Sequence, residues 1–229
     1  MHTPAFILVT CVQEDARATT ITGRSVAFPV AKSKDGKFIF ASCEHTITRH
    51  IQLGLQVTMT YSDGIYLPGD DKMRNNVIHP SFNSDLCFFE LELDRDLPLV
   101  RLSRKDKIVG TTVSHIRNTG FKEECLEPRF EVTTQTPSRN NGKYFQMYEK
   151  FHRTADFVGA IPKSPHRGIN IKSWPGVSGS PLWDRFGNVL GMVAGGTGEN
   201  LAQGVDPNLV YLPSSEIIFH IRNSIQDRI

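Results

Sequence analysis

The apolar runs of this chain are short, rich in Phe, Ile, Val and Thr, and bounded by Gly, Pro, Asp and Asn. Residues of these types fit a pleated, half-buried surface, and runs of that length between turn signals read as strands. They fall at 6–12, 25–29, 38–43, 55–61, 86–93, 111–116, 130–136, 168–172, 182–183, 189–193 and 210–212. Asp35-Gly36 lies between two of them and predicts a hairpin. Asp63-Gly64, Asn141-Gly142 and Phe186-Gly187-Asn188 mark further turns. Many short strands with no long helical pattern between them specify an all-β barrel or sandwich, not an α/β sheet. Two segments depart from this. His45-Thr46-Ile47 predicts no more than one helical turn, because Thr and Ile are weak helix formers. From 214 to 229, Ile217, Ile218, Ile221 and Ile225 recur at helical spacing after Pro213 and Ser214, which predicts a C-terminal amphipathic helix docked on the body. Residues 116–167 are the least regular and are expected to hold a long loop.

Composition bounds the function classes. A chain of 229 residues buries a sizeable core without staples. The formal net charge of +2 is too small to argue for nucleic acid. Arg101, Arg104, Lys105 and Lys107 read as a solvated linker, and the seam between two halves is expected there. That gives a first barrel at 1–103, a second at 104–213 and the helix at 214–229. No stretch has the length of a membrane span, so no membrane partner is expected. The run at 5–9 reads as a first strand, not a signal peptide. Cys11, Cys43, Cys87 and Cys125 are scattered, with no metal-like spacing. They predict reduced thiols, a cytoplasmic setting and no metal site or cofactor. The sequence leaves the oligomeric state open.

The chemistry is concentrated in Trp174-Pro175-Gly176-Val177-Ser178-Gly179-Ser180-Pro181-Leu182-Trp183. Two glycines flank a serine closely, and prolines fix the path on each side. Such a turn holds the Ser178 hydroxyl outward and leaves the N–H groups of Gly176 and Ser178 to point at one spot, as an oxyanion hole requires. The same composition also suits a plain Gly/Pro turn between strands. A serine nucleophile needs a base, and the base needs an orienting group. Of the eight histidines, His45 ends the second strand of the predicted hairpin. His2 is terminal, His220 lies in the final helix, and His50, His152 and His166 sit beside or near arginine in polar surroundings; His79 and His115 are less easily set aside. Asp85 heads the apolar run Leu86-Cys87-Phe88-Phe89, where a buried carboxylate needs a partner. A turn-capping role is the plainer reading for this residue.

His45, Asp85 and Ser178 occur in the chain order of chymotrypsin-like enzymes. The chain resembles the trypsin/chymotrypsin-like serine peptidases, and more closely their non-secreted branches, which include the HtrA-type bacterial and the cysteine-poor viral proteases. Residues 23–47, 79–93, 175–182 and 189–196 carry the likeness. The resemblance implies two six-stranded antiparallel β-barrels with the triad between them, acting on a peptide or protein substrate through an acyl-enzyme. It also implies that Ala194, Gly195 and Gly196 receive the substrate backbone, and that Lys172 lies near the floor of the primary pocket. A lysine there favours acidic or polar side chains. Val177 stands where secreted trypsins carry an activating aspartate, Thr46 removes a frequent disulfide, and Ala194 replaces a serine that supports the triad acid. Residues 214–229 do not resemble the start of a PDZ-like module, so HtrA-type caging is not expected. A catalytically silent binding or scaffold protein on the same fold is the alternative, and an RNA-associated protein a third.

Overall fold

The structure is a computed structural model that describes residues 2–14, 19–67, 76–81, 84–105, 107–122, 127–143, 164–197 and 204–229. Its first sheet contains β1 (Ile7–Glu14), β2 (Thr19–Lys32), β3 (Phe38–Cys43), β4 (Gln56–Tyr61), β5 (Val77–Ser81) and β6 (Leu86–Leu91). The six strands run in the order β4-β1-β2-β3-β6-β5. The second sheet contains β7 (Arg101–Leu102), β8 (Val113–Lys122), β9 (Glu127–Gln135), β10 (Asn140–Lys143), β11 (Arg167–Ile169), β12 (Pro181–Asp184), β13 (Asn188–Gly196) and β14 (Leu209–Pro213). Its order is β10-β11-β14-β13-β12-β8-β9, and the short β7 adds to β13 in parallel. All other pairings are antiparallel. The chain is thus all-β, with the two-barrel architecture that the short, punctuated runs and the resemblance anticipated.

Three apolar clusters organise it. Ile7, Val9, Phe38, Phe40, Val57, Met59, Cys87 and Phe89 fill the first sheet's own core. Val113, Ile169, Leu182, Leu190, Val193 and Tyr211 fill the second's. The third cluster joins the two halves: Leu8, Val26, Phe28, Ile39, Ala41, Leu86 and Phe88 meet Ile116, Trp183, Met192, Val210 and Leu212. Successive strand residues face opposite ways. So β3 and β6 send alternate side chains into their own core and into the junction, which is why both read as continuous apolar runs. Each fully buried Phe, Leu or Ile there contributes roughly 1.5–3 kcal/mol.

Several expectations need correction. The segment at His45 is not a single turn but α1 (Glu44–Gln52), nine residues long. Ile47 is fully buried in the first core and Ile51 packs against it, so tertiary burial outweighs the low propensity of Thr46 and Ile47. Gly54, at φ 69°, lets the chain turn back after the helix, with the Leu55 N–H donating to the His50 carbonyl. Asn141-Gly142 is not a turn; it lies inside β10. Much of 116–143 is strand, not loop, and 144–163 lie outside the described residues. The strand β5 went unrecognised because it carries Pro80, which a sheet tolerates at an edge, and β5 is the edge strand.

The C-terminal segment forms α2 (Ser214–His220), then a wider turn over Ile221–Ile225 and a tight one over Gln226–Arg228. It is therefore not one uniform α-helix. Ile217 and Ile225 are buried in the junction cluster with Ile221 packed against it, so the stripe docks on the parent body as expected. Cys11, Cys43 and Cys87 are free and buried; Cys125 and His152 fall outside the described residues. Among the described residues, no helix is long and apolar enough to cross a membrane.

Candidate active site

The site forms where β3 and β6 of the first sheet meet β13 and the Ser178 loop of the second. Register pairs Cys43 with Leu86 at the ends of β3 and β6. The next residues along, Glu44-His45 opening α1 after β3 and Asp85 just before β6, therefore lie side by side. The Glu44 N–H donates to the Asp85 carbonyl at 3.0 Å. The His45 N–H donates to Asp85 Oδ1 at 2.9 Å, and His45 Nδ1 lies 2.6 Å from Asp85 Oδ2.

Asp85 takes φ 49°, the one non-glycine residue with positive φ among the described residues. That conformation costs on the order of 1–2 kcal/mol. The three hydrogen bonds with residues 44 and 45 hold it there. Burial opposes the Asp85 charge, yet the adjacent His45 ring and its two hydrogen bonds hold the carboxyl below its ordinary value. Asp85 is only 3% exposed, so it is a buried acid with a dedicated partner and not a surface turn cap.

Ser178 lies on a loop of the second sheet that is fastened to the first. Its carbonyl accepts from the Val26 N–H (2.8 Å) and from Ser25 Oγ (3.0 Å), both on β2. The Gly179 N–H donates to the Val193 carbonyl at 2.8 Å, and the Cys43 thiol donates to that same oxygen at 3.3 Å. One carbonyl thus ties together the residue after Ser178 and the residue two before His45. A Cβ on Gly179 would stand 2.0 Å from the Val26 carbonyl oxygen, so the loop passes where only glycine fits. The Ser178 hydroxyl itself donates to the Ala194 carbonyl at 3.2 Å.

Gly176 sits at φ 94°, and a Cβ there would stand 2.1 Å from the Asn118 carbonyl oxygen. Its own carbonyl accepts from the Asn118 N–H at 2.8 Å. Among the described residues, neither the Gly176 nor the Ser178 N–H donates to a backbone acceptor. Ala194 to Gly196 end β13. Gly195 and Gly196 pair with Val210 and Leu209 of β14, while β12 begins opposite Met192. Beyond that point the β12 side of β13 carries no strand among the described residues.

Lys172 is exposed, and its main chain is held by the Gln135 side chain through bonds of 2.8 and 3.2 Å. Its neighbour Ser173 exchanges two 2.8 Å backbone bonds with Asp206, a buried acid packed so tightly on Gly196 that a Cβ there would stand 2.5 Å from its Oδ2. Cys43, His45 and Asp85 each offer a donor atom within 4.8 Å of the others, the one such group able to hold a metal ion among the described residues. Burial and the Asp85 charge push the Cys43 thiol well up, so it stays a neutral S–H.

Sequence reasoning missed several residues. His166 is polar in its neighbours but not solvated: it is fully buried, its Nδ1 lies 2.8 Å from Ser164 Oγ, and its electrostatic neighbours are Asp85, His45 and the Ser84 main chain. Burial holds that imidazole down to about 4, with Asp85 pulling the other way. His115 is also buried, held down to about 4 by desolvation, and stacks on Trp174 at 6.2 Å. Asn118 is fully buried and its side-chain amide donates to the Val9 and Ser25 carbonyls at 3.0 Å each, fastening β8 to β1 and β2 behind the Gly176 turn. Its setting in the largely polar run Ser114-His115-Ile116-Arg117-Asn118-Thr119 gave no signal of that burial in the sequence.

The model for the trypsin-like peptidase domain matches residues 27–192. A sequence comparison with curated proteins finds no match. Among solved structures, the chain is similar to the inactive form of the Rv3671c protease of M. tuberculosis H37Rv, at TM-score 0.60 and 16% identity, covering 96% of this chain and 88% of that one. It is similar to Deg5 at TM-score 0.60 and 16% identity, covering 95% and 87% of the two chains. A third is the HtrA-type protease AlgW with a tripeptide, at TM-score 0.57 and 17% identity, covering 96% of this chain and 60% of AlgW. Likeness at this identity speaks for the fold, and the matched domain for the family: the chain belongs to the trypsin-like peptidases, and is a serine endopeptidase.

Proposed function

We propose that the chain cleaves peptide bonds through a His45–Asp85–Ser178 triad and an acyl-enzyme. The observation that carries this is the 2.6 Å contact of His45 Nδ1 with the buried, ionised Asp85, just beyond the paired ends of β3 and β6, while the neighbouring β2 fastens the Ser178 loop. Asp85 selects the imidazole tautomer whose Nε2 can accept a proton. Rotation about the Ser178 Cα–Cβ bond turns the hydroxyl from the Ala194 carbonyl toward that nitrogen. Ser178 Oγ then attacks the scissile carbonyl, and its proton passes to His45 Nε2. The N–H groups of Gly176 and Ser178 receive the oxyanion, each worth on the order of 10²–10³ in rate. Collapse expels the amine, which takes the proton from His45. Water, deprotonated by His45, attacks the acyl carbonyl and releases Ser178.

The substrate backbone adds as a strand along Ala194, Gly195 and Gly196, where the β12 side of β13 is open. Lys172 stands near the floor of the primary pocket and favours acidic or polar side chains there. The free, buried state of Cys11, Cys43 and Cys87 supports an intracellular setting. The test is an unbiased peptide-library cleavage profile of the wild type beside Ser178→Ala. A defined profile that vanishes in the variant supports the reading. Equal cleavage by both proteins overturns it, and no cleavage by either favours the silent peptide-binding alternative.

A further inference from the structure

Resting on that reading of Ser178 and Gly176, we propose that Arg117 is a positioning residue that sets the direction of the oxyanion-hole N–H of Gly176. A trans peptide points its C=O and the following N–H in opposite directions. The peptide joining Pro175 to Gly176 is gripped by its carbonyl: Arg117 Nε donates to the Pro175 oxygen at 3.3 Å. The Gly176 N–H is thereby turned directly away from Arg117. The next peptide is gripped in the same manner, with the Gly176 carbonyl accepting from the Asn118 N–H at 2.8 Å. Two consecutive residues of β8 thus pin the two peptides on either side of Gly176.

The two grips are not equal. Asn118 acts through its own main chain, and its side chain is buried among the Val9, Thr10 and Ser25 acceptors. That anchor is part of the fold. Arg117 acts through a side chain about a quarter exposed, steadied by its cross-strand partner Glu131, whose Oε2 lies 3.5 Å from Arg117 Nη1. A glycine in the left-handed region has a second backbone basin open to it, so the Pro175–Gly176 peptide can rotate without breaking the core. Rotation would carry the Gly176 N–H out of the site and leave Ser178 in place. Arg117 opposes that rotation. A bulge between Asn118 and Gly120 bends β8 beside this point.

The test uses the whole chain and a simple alkyl fluorophosphonate. This reagent phosphonylates the serine with loss of fluoride and develops charge on the phosphoryl oxygen, so its rate reports the oxyanion donors without a substrate side chain. Arg117→Ala is expected to label about 10–100-fold more slowly, the scale of a displaced catalytic group. Glu131→Gln, which leaves Nε in place, is expected to fall by no more than several-fold. Binding of a library-selected peptide to Ser178→Ala is expected to be unchanged when Arg117→Ala is added, which separates positioning from substrate contact. Thermal unfolding is compared alongside. Wild-type labelling rates in Arg117→Ala, or peptide binding weakened by the same factor as labelling, would overturn the proposal. Loss of Ser178 as the labelled residue in the wild type would instead overturn the triad reading beneath it.

Discussion

The His45–Asp85 half and the Ser178 half of the candidate site are built by different means. His45 and Asp85 are held by side-chain charge, burial and a strained backbone: a 2.6 Å contact, an acid 3% exposed and a φ of 49°. Ser178 and Gly176 are held by main-chain hydrogen bonds in a loop whose glycines allow contacts no side chain would permit. The first arrangement resists displacement, because moving Asp85 would strand a buried charge. The second is set by peptide orientation, and a glycine peptide can turn over. Substitutions in the first half should therefore change chemistry through protonation, and those in the second through geometry.

The largest effects should fall on the reacting groups. Ser178→Ala and His45→Ala are each expected to lower kcat by on the order of 10⁶, and the double variant to be no worse than either, since the pair works as a unit. Steady-state kinetics on a peptide from the cleavage profile measures this. Additive losses would break the pairing. Asp85→Asn should cost about 10⁴ in kcat with KM little changed, by presenting the wrong imidazole tautomer. The same carboxyl should also mark acid unfolding. Its folded value is depressed, so its stabilising contribution is present above the unfolded value and is lost as pH falls through the folded one. Acid titration of Asp85→Asn should lack that component.

Next come the glycines. Gly176→Ala places a Cβ 2.1 Å from the Asn118 oxygen at φ 94° and should cost about 10²–10³ in kcat by spoiling one oxyanion donor. Gly179→Ala drives a Cβ to 2.0 Å from the Val26 oxygen in the seam between the sheets, so it should lower the unfolding midpoint as well as activity. Thermal denaturation beside kinetics separates the two. An activity loss at Gly176 no larger than its stability loss accounts for would mean that the Gly176 turn serves the fold and not the oxyanion.

The smallest predicted effect concerns stability alone. Glu44 opens α1 next to His45, and burial, followed by the Asp85 charge, raises its carboxyl to about 7. Its Oε2 has no hydrogen-bond partner among the described residues, and the His79 imidazole, 3.5 Å from Oε1, is itself pushed down by burial. The folded form holds a proton that the unfolded chain releases near 4.5, so stability should fall as pH rises from about 4.5 to about 7. Glu44→Gln should remove that slope and gain roughly 1–3 kcal/mol at pH 8. Urea unfolding across this range checks it; a slope left unchanged would contradict the assignment.

The same contrast explains what could be read from residues alone. The strands were legible because β3 and β6 bury both faces and so carry unbroken apolar runs. The serine loop was legible because close backbone approach demands glycine, and glycine leaves a mark in the sequence. The Asp85 reading rested on an acid heading an apolar strand, and its burial against His45 agrees with that logic. The length of α1 was not legible, since it depends on Ile47 and Ile51 meeting a core assembled from strands far along the chain. Nor were His166, Asn118 and Arg117. Their roles arise from register: which β8 residue lies behind Gly176, and which imidazole from before β11 is buried within electrostatic range of Asp85, are decided by packing between the sheets. A histidine beside an arginine looks solvated until the fold encloses it.

The most direct test of the central claim is site mapping of the fluorophosphonate adduct on the intact protein, by mass spectrometry, in the wild type, His45→Ala and Ser178→Ala. The account predicts a single adduct on Ser178 in the wild type, labelling slowed by several orders of magnitude in His45→Ala, and none in Ser178→Ala. An adduct on a different residue, or labelling of Ser178 at the wild-type rate without His45, would contradict it.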